Sequence, residues 1–274
     1  MGVQVPPRAP TMTTNHPVYT RLLDRQSQLG HSVCLGLDPV LSQIPAAYPQ
    51  TMAGVTQFLE RLIDDSLPHV VAYKPNIAFF EALGLDGLRV LEAVIKRINQ
   101  QVPVILDAKR GDIGTTATQQ ARYLIDYFGA DATTLHPYMG HDSIEPFLAY
   151  RDQYHFVLVL TSNPGAQDIE QQVLANGRRV YEHVLDLCSQ WHSVYGNVGC
   201  VVGATQPDVA ALRQRDPQLV YLMPGVGAQG GSYAQTQQAG KNGDGLVVIP
   251  VSRALMTGSG DSSFESRLTH VLSQ

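Results

Sequence analysis

The stretch DAKRGDIG, residues 107–114, brings two carboxylates, a lysine and an arginine together directly after the apolar run VPVIL. Side chains two residues apart on a strand point the same way, so Asp107 and Lys109 are predicted to share a face. Asp112 follows the turn at 110–111, just before or at the start of the next helix. A lysine between two carboxylates is favoured in its charged form. The pattern therefore predicts a proton donor held at a fixed place, with a purely structural Asp–Lys ion pair as the alternative.

Polar residues also lie at or directly after the ends of most of the other apolar runs in the sequence. They are Asp38, Lys74, Ser162 with Asn163, the glycine-rich run at 224–231, and Arg253. In a parallel barrel the carboxyl ends of all strands lie on one rim, where such enzymes keep their active sites. A charge within apolar sequence is costly unless it is paired. These groups are therefore predicted to converge in space, although any single one could be polar merely because its strand stops there.

The elements that must position these groups follow a regular rhythm. Apolar or β-branched runs predict eight strands, at 33–38, 70–75, 102–108, 131–136, 155–161, 198–203, 219–224 and 245–250. Nearly continuous apolar runs suit strands covered on both faces. Apolar spacing of three and four residues predicts helices at 56–67, 87–100, 171–192 and 263–274. The alternation predicts a single-domain (β/α)8 TIM barrel over 17–274 after a flexible tail at 1–16, with an open doubly wound sheet as the alternative.

The composition limits the possible partners. The 274 residues are 44% hydrophobic and 16% charged, with a net charge of −5, which argues against nucleic-acid binding by bulk charge. A local phosphate pocket stays possible. The three cysteines form no close pair, as is typical of a reducing compartment. No apolar run approaches the roughly 18 residues of a membrane span. We therefore expect a cytoplasmic protein with neither a nucleic-acid nor a membrane partner.

Several segments together resemble one enzyme family. LDAKRGDIGTT resembles the D-x-K-x-x-D signature of orotidine 5′-monophosphate decarboxylase, and CLGLDP, YKPNIAFFE, LTSNPGAQD, MPGVGAQGG and PVSRALM resemble further segments of that family in the same order. KPNIAFFE and TSNPGAQD are most similar to its longer bacterial branch. A sister group of Mg-dependent sugar-phosphate decarboxylases shares the D-x-K-x-x-D signature alone, whereas the ordered set is specific.

The resemblance implies a barrel fold and decarboxylation of orotidine 5′-monophosphate to UMP and carbon dioxide, without metal or cofactor. Lys109 would deliver a proton to pyrimidine C6 as carbon dioxide leaves. Asp107 would lie beside the substrate carboxylate and disfavour its charge. Asp112 would come from the partner subunit of a homodimer and complete an alternating Lys-Asp-Lys-Asp array with Lys74.

The resemblance also implies a set of substrate-binding residues at the strand ends. They are Asp38 and Lys74 for the ribose, Thr116 for the ribose across the dimer interface, Ser162 for the pyrimidine amide edge, and Gln229, Arg253 and the backbone N–H groups near Gly230 and Ser252 for the phosphate. The chemistry is consistent with these roles. A preorganised cation stabilises the electron density left at C6, and a phosphate held far from C6 supplies binding energy for loop closure.

Other functions remain open on the residues alone. GVGAQG, at 225–230, matches the G-x-G-x-x-G of nicotinamide-dependent oxidoreductases. Fewer than fifty residues follow it, however, and Asp244 precedes the next strand instead of ending it. The Mg-dependent sister group has a metal-binding glutamate where this chain has Lys74. A Schiff-base aldolase would need a lysine with a lowered pKa, which flanking carboxylates oppose. A non-catalytic nucleotide-phosphate binder would leave Asp107 and Lys109 without a role.

The segment LHPYMGHD, at 135–142, contains His136, His141 and Asp142 and could indicate a metal site. We favour a structural interpretation. Asp142 is predicted to cap the helix that begins in SIEPFLAY, with Glu145 three residues on as in a capping box.

Overall fold

The computed structural model describes residues 16–98, 100–227, 230–257 and 262–274. Eight strands are found in this part of the chain, and each overlaps a predicted strand. They are β1 (Val33–Leu37), β2 (Ala72–Pro75), β3 (Ile105–Arg110), β4 (Ala132–Leu135), β5 (Tyr154–Leu160), β6 (Val198–Val202), β7 (Tyr221–Leu222) and β8 (Ile249–Val251).

The strands form a closed circle in chain order. Parallel ladders join β2, β1 and β8 in one sheet and β3 to β7 in another. Isolated parallel bridges complete the circle: Tyr73 with Val104 and Asn76 with Asp107 join β2 to β3, and Leu222 with Val248 joins β7 to the segment before β8. The predicted (β/α)8 barrel is thus confirmed, and the open doubly wound sheet is wrong because an open sheet would leave two unpaired edges.

Helices surround the strands. They are α1 (Pro17–Leu29), α2 (Met52–Ser66), α3 (Ile77–Glu81), α4 (Gly84–Ile98), α5 (Gly114–Arg122), α6 (Glu145–Leu148), α7 (Val180–Tyr195), α8 (Val209–Arg215), α9 (Tyr233–Gly240), α10 (Arg253–Met256) and α11 (Phe264–Leu272). The predicted helices at 56–67, 87–100 and 263–274 are confirmed as α2, α4 and α11. Among the helices of the described ranges, none is long and apolar enough to cross a membrane.

The predicted helix at 171–192 is wrong in its first nine residues. Val173 and Arg179 form an antiparallel bridge, and Gly177 between them has φ +80°. This left-handed backbone suits glycine in a turn and interrupts a helix. Helix α7 begins only at Val180, where the carboxylate of Glu182 accepts a hydrogen bond of 2.7 Å from the backbone N–H of Arg179. The apolar spacing before Val180 therefore belongs to a turn.

The amino end of the barrel is closed by α1. Its buried side chains Val18, Tyr19 and Leu22 pack against the barrel interior, including Cys34 of β1 and Ile105 of β3. The predicted tail at 1–16 lies outside the described residues except for its last residue. His16 is buried, and its ring accepts a hydrogen bond from the N–H of Tyr19 at the start of α1. A ligand must therefore enter at the opposite, carboxyl end.

Candidate active site

A row of alternating charges lies at the carboxyl ends of β2 and β3. Lys74 Nζ is 2.8 Å from one carboxylate oxygen of Asp107, and Lys109 Nζ is 2.6 Å from the other. Lys74 and Asp107 are only 6% and 7% exposed, whereas the side chain of Lys109 is 46% exposed. These three groups, predicted to converge at the strand ends, are thus brought together in the structure.

Both buried members of the row are held in their charged forms. Burial alone would raise the pKa of Asp107, but Lys74 and Lys109 outweigh it and hold that pKa well below its usual range. Burial alone would lower the pKa of Lys74, but the carboxylates of Asp107 and Asp38 outweigh it and raise that pKa. A substrate therefore meets fixed charges that need no proton transfer to form.

The backbone that carries Lys109 is irregular. Lys109 has φ +46°, and the pairing of β3 with β4 shifts register between Leu106 and Arg110. Such shifts redirect side chains at barrel rims and near active sites, and a positive φ in a residue other than glycine is uncommon. The predicted contact of Asp107 with Lys109 is thus present, but the regular strand alternation from which it was predicted is not.

Asp38, at the end of β1, is held from two sides. Its carboxylate accepts hydrogen bonds from the hydroxyl of Ser252, at 2.7 Å, and from the backbone N–H of Asn76, at 3.3 Å. Gly36 allows this approach, because a Cβ there would lie 1.9 Å from the Ser252 hydroxyl. The first and last strands of the barrel therefore meet at Asp38, next to Lys74.

A cavity of about 230 Å³ opens above the charged row. Its lining includes Lys74, Asp107, Lys109, Thr134 and Ser162. The loop of Ser162 is fixed by two residues that sequence reasoning missed. The Glu170 carboxylate accepts the backbone N–H of Thr161 at 2.7 Å, and the Gln206 amide donates to the Thr161 carbonyl at 2.5 Å. No spacing rule connects Glu170 or Gln206 with Ser162, so no sequence pattern would have found them.

The groups predicted to bind phosphate follow strands β7 and β8. The side chain of Arg253 is exposed and forms no hydrogen bond or ion pair with the rest of the described chain. The N–H of Gly230 donates to the carbonyl of Gly227 at 3.0 Å, within a loop where both glycines have positive φ. In this conformation that N–H is not available to a ligand. Gln229 lies outside the described residues.

The chain is similar to proteins of one family along most of its length. Residues 31–265 match the orotidine 5′-phosphate decarboxylase / HUMPS family. The chain belongs to this family. A protein named orotidine 5′-phosphate decarboxylase from Herpetosiphon aurantiacus is 44% identical over 235 residues, 85% of this chain and 86% of that protein. Another so named, from Roseiflexus castenholzii, is 43% identical over 85% of this chain and 86% of its own.

A solved structure of this family has the same fold. Leishmania donovani OMP decarboxylase superposes with a TM-score of 0.79 at 37% identity, covering 92% of this chain and 94% of that one. The resemblance of the D-x-K-x-x-D segment is thereby confirmed at the level of the family. At the end of β2, where the Mg-dependent sister group would need a glutamate, this chain has Lys74 paired with Asp107.

Two further family residues of the prediction, Asp112 and Thr116, follow β3, in the turn before α5 and on α5 itself. Asp112 accepts a hydrogen bond of 2.8 Å from its neighbour Ile113, and its own N–H donates to the carbonyl of Ser143. No hydrogen bond or ion pair within the described ranges joins it to Lys74 or to Lys109. Thr116 is exposed on α5.

The predicted capping box of Asp142 is wrong. Helix α6 begins at Glu145, its N-cap is Ile144, and no side chain caps it. Pro146 explains the difference, because proline is tolerated only in the first turn of a helix and so fixes where the helix begins. The ring of His141 packs 5.7 Å from that of Trp191, centroid to centroid. Within the described residues, no three His, Cys, Asp or Glu side chains are grouped to hold a metal ion.

Proposed function

We propose that this protein is a carboxy-lyase that decarboxylates orotidine 5′-monophosphate to UMP and carbon dioxide, without metal or cofactor, in the last step of pyrimidine nucleotide synthesis. The observation that supports this most is the row Lys74–Asp107–Lys109 beside a cavity of about 230 Å³. The names of the relatives support the same substrate.

The catalytic step follows from the charges of the row. The substrate carboxylate would lie beside Asp107, which stays anionic, so the two negative charges repel in the bound state. The bond to the carboxylate carbon breaks, and its electron pair stays on C6. Lys109 stabilises this developing charge and then transfers a proton to C6. Because its side chain is 46% exposed, Lys109 can regain a proton from solvent.

The rest of the rim would bind the other parts of the nucleotide. Asp38 and Lys74 would bind the ribose hydroxyls, and their closeness at the ends of β1 and β2 supports this. Ser162 would bind the pyrimidine amide edge, in a loop that Glu170 holds through Thr161.

The phosphate would bind to Arg253, Gln229 and the backbone N–H groups of Gly230 and Ser252. The exposed guanidinium of Arg253 offers a fork of donors that suits phosphate. Because the N–H of Gly230 donates to Gly227 in this conformation, the loop must rearrange to bind the anion. Binding energy from the phosphate would then be used to close the loop over the site.

We also propose that the protein acts as a homodimer whose two sites share Asp112 and Thr116. The apolar side chains of Ile113, Tyr138 and Met139 are 59%, 78% and 41% exposed. They lie on the two segments that the hydrogen bond from Asp112 to Ser143 joins, and exposed apolar groups of this kind are typical of protein interfaces. The free, buried cysteines support a cytoplasmic location.

The test is release of carbon dioxide from orotidine 5′-monophosphate by the purified protein after exhaustive chelation. We expect full turnover without added metal. Activity that EDTA abolishes and Mg²⁺ restores would support the sister group instead. Binding of the nucleotide without any turnover would mean that the protein is a non-catalytic nucleotide-phosphate binder.

A further inference from the structure

The hydroxyl of Thr134, in β4, connects three groups at the charged row. Thr134 is only 1% exposed, at the wall of the cavity. Its oxygen accepts hydrogen bonds from the backbone N–H groups of Ala108 and Lys109, each at 3.0 Å. The same hydroxyl donates to the Asp107 carboxylate at 2.8 Å. Three consecutive residues of β3 are thus held by one side chain of β4.

The hydrogen-bonding capacity of this hydroxyl is fully used, and this fixes its direction. A hydroxyl has one hydrogen to donate and two lone pairs that can accept. Because the two N–H groups occupy the acceptor positions, the hydrogen can point only to Asp107. The Asp107 oxygen that receives it is also the one bound by Lys109 Nζ, at 2.6 Å.

Thr134 lies where the regular ladder between β3 and β4 is interrupted. From Leu106 to Arg110 β3 advances four residues, while their partners Thr133 and Leu135 in β4 are two residues apart. Within this interval Lys109 adopts φ +46°, which is unfavourable for a residue with a Cβ and persists only when its surroundings enforce it. The acceptor supplied by Thr134 helps to hold this backbone, and with it the direction in which the Lys109 side chain leaves the strand.

We infer that Thr134 is a positioning residue for the decarboxylation proposed above, and the inference rests on that function. Thr134 acts through Lys109 and Asp107: it holds the lysine backbone in its left-handed conformation and orients the carboxylate against which the substrate is placed.

The test compares substitutions at two adjacent threonines. Thr134→Val keeps the shape of the side chain but removes the hydroxyl, which is both the hydrogen-bond acceptor and the donor. We expect kcat to fall about 100-fold, the loss typical of a displaced reacting group, with little change in KM. Thr134→Ser, which keeps the hydroxyl, should recover most of kcat. The control is Thr133→Val, because the hydroxyl of Thr133 bonds to His155, 3.0 Å away, and not to the charged row. It should cost stability and leave kcat unchanged.

A second measurement separates this inference from the proposed function. In a crystal structure of Thr134→Val, we expect Lys109 to leave the left-handed region, whereas in Thr133→Val it should stay. If wild type releases no carbon dioxide, the proposed function is wrong. The conformation of the Lys109 backbone in the variant still shows whether Thr134 positions this residue. If Thr134→Val does not fold, Thr134→Ala, which also lacks the hydroxyl, replaces it, and the same changes in kcat and in the Lys109 backbone are expected. Wild-type kcat or an unchanged Lys109 backbone in the folded variant overturns the inference.

Discussion

The two sides of the proposed site differ in how far they are organised before a substrate arrives. On the reaction side, Lys74 and Asp107 are buried and ion-paired, and the hydroxyl of Thr134 fixes the carboxylate. On the phosphate side, Arg253 is exposed, and the N–H of Gly230 is bound to Gly227 instead of being directed at a ligand.

This difference separates two uses of binding energy. Charges that act on the transition state are most effective when they need no reorganisation at the moment of reaction. The groups that hold a distant phosphate can instead order on binding and so drive closure of the site. Substitutions on the reaction side should therefore lower kcat, whereas those on the phosphate side should act only on substrates that carry a phosphate.

Removal of the proton donor should have the largest effect. In the proposed mechanism, Lys109→Ala takes away both the cation beside C6 and the source of its proton, so we expect kcat to fall at least about 1,000-fold. The fold should persist, because the side chain of Lys109 is 46% exposed. Steady-state kinetics on orotidine 5′-monophosphate is the measurement. Lys96→Ala, at a surface pair with Glu92, is the control and should leave kcat unchanged. An increase in KM with unchanged kcat would show that Lys109 only binds the substrate.

Mixing two inactive variants should restore part of the activity if the reaction side extends across a dimer interface. Lys109→Ala and Asp112→Asn homodimers each lack one member of every array. After random exchange of equal amounts, half of the dimers are mixed, and one of their two sites is whole, so about a quarter of all sites should be active. The measurement is kcat before and after exchange verified by mass spectrometry. Verified exchange without recovery would place Asp112 outside the neighbour's site.

On the phosphate side, Arg253→Ala should discriminate between two substrates. Loss of the charge-assisted hydrogen bonds between a guanidinium and a phosphate weakens binding by an amount on the order of 2–3 kcal/mol. This corresponds to a decrease of roughly 30- to 150-fold in kcat/KM. We expect that loss for orotidine 5′-monophosphate and none for the bare nucleoside. Arg61→Ala, at an exposed arginine of α2, is the matched control. Equal losses on both substrates would assign Arg253 a structural role and remove the proposed contrast between the two sides.

The sequence predicts those features of the architecture that depend on local pattern, namely the strands and the polar residues at their ends. Strands buried on both faces read as continuous apolar runs, and a polar group at the end of each run must lie on the rim once the barrel closes. Lys74, Asp107 and Asp38 are therefore predicted to lie together without knowledge of any contact between them.

The rest depends on interactions between distant segments. Thr134 meets Asp107 across 27 residues of chain, in a register that no local pattern encodes. The left-handed backbone of Lys109 lies in the same interval, where the register of β3 against β4 shifts. At 171–179 and at Asp142 the apolar spacing and the cap residue were outweighed by Gly177 and Pro146, which determine where helices α7 and α6 can begin.

The smallest predicted effect is the pH dependence of stability caused by His155, a ring that is buried without an opposite charge beside it. His155, in β5, is buried as Lys74 and Asp107 are, but no ion pair reaches it among the described residues. Its Nδ1 lies 3.0 Å from the hydroxyl of Thr133, and its Nε2 has no hydrogen-bond partner in the described part of the chain. Burial lowers the pKa of His155 to about 3. The native protein therefore keeps this ring neutral, whereas the unfolded chain protonates it near its ordinary pKa of about 6.5.

The sign of the pH dependence follows from this difference. The stability contributed by the neutral ring is fully present above pH 6.5 and is lost as the pH falls from 6.5 toward 3, because only the unfolded state takes up the proton. Between pH 6.5 and 5.5 wild type should lose roughly 1 kcal/mol more free energy of unfolding than His155→Gln or His155→Phe. Urea unfolding at the two pH values measures this. Both variants should share the shallower slope even if their absolute stabilities differ, since neither side chain titrates. Equal slopes in all three proteins would mean that burial does not lower the pKa of this ring.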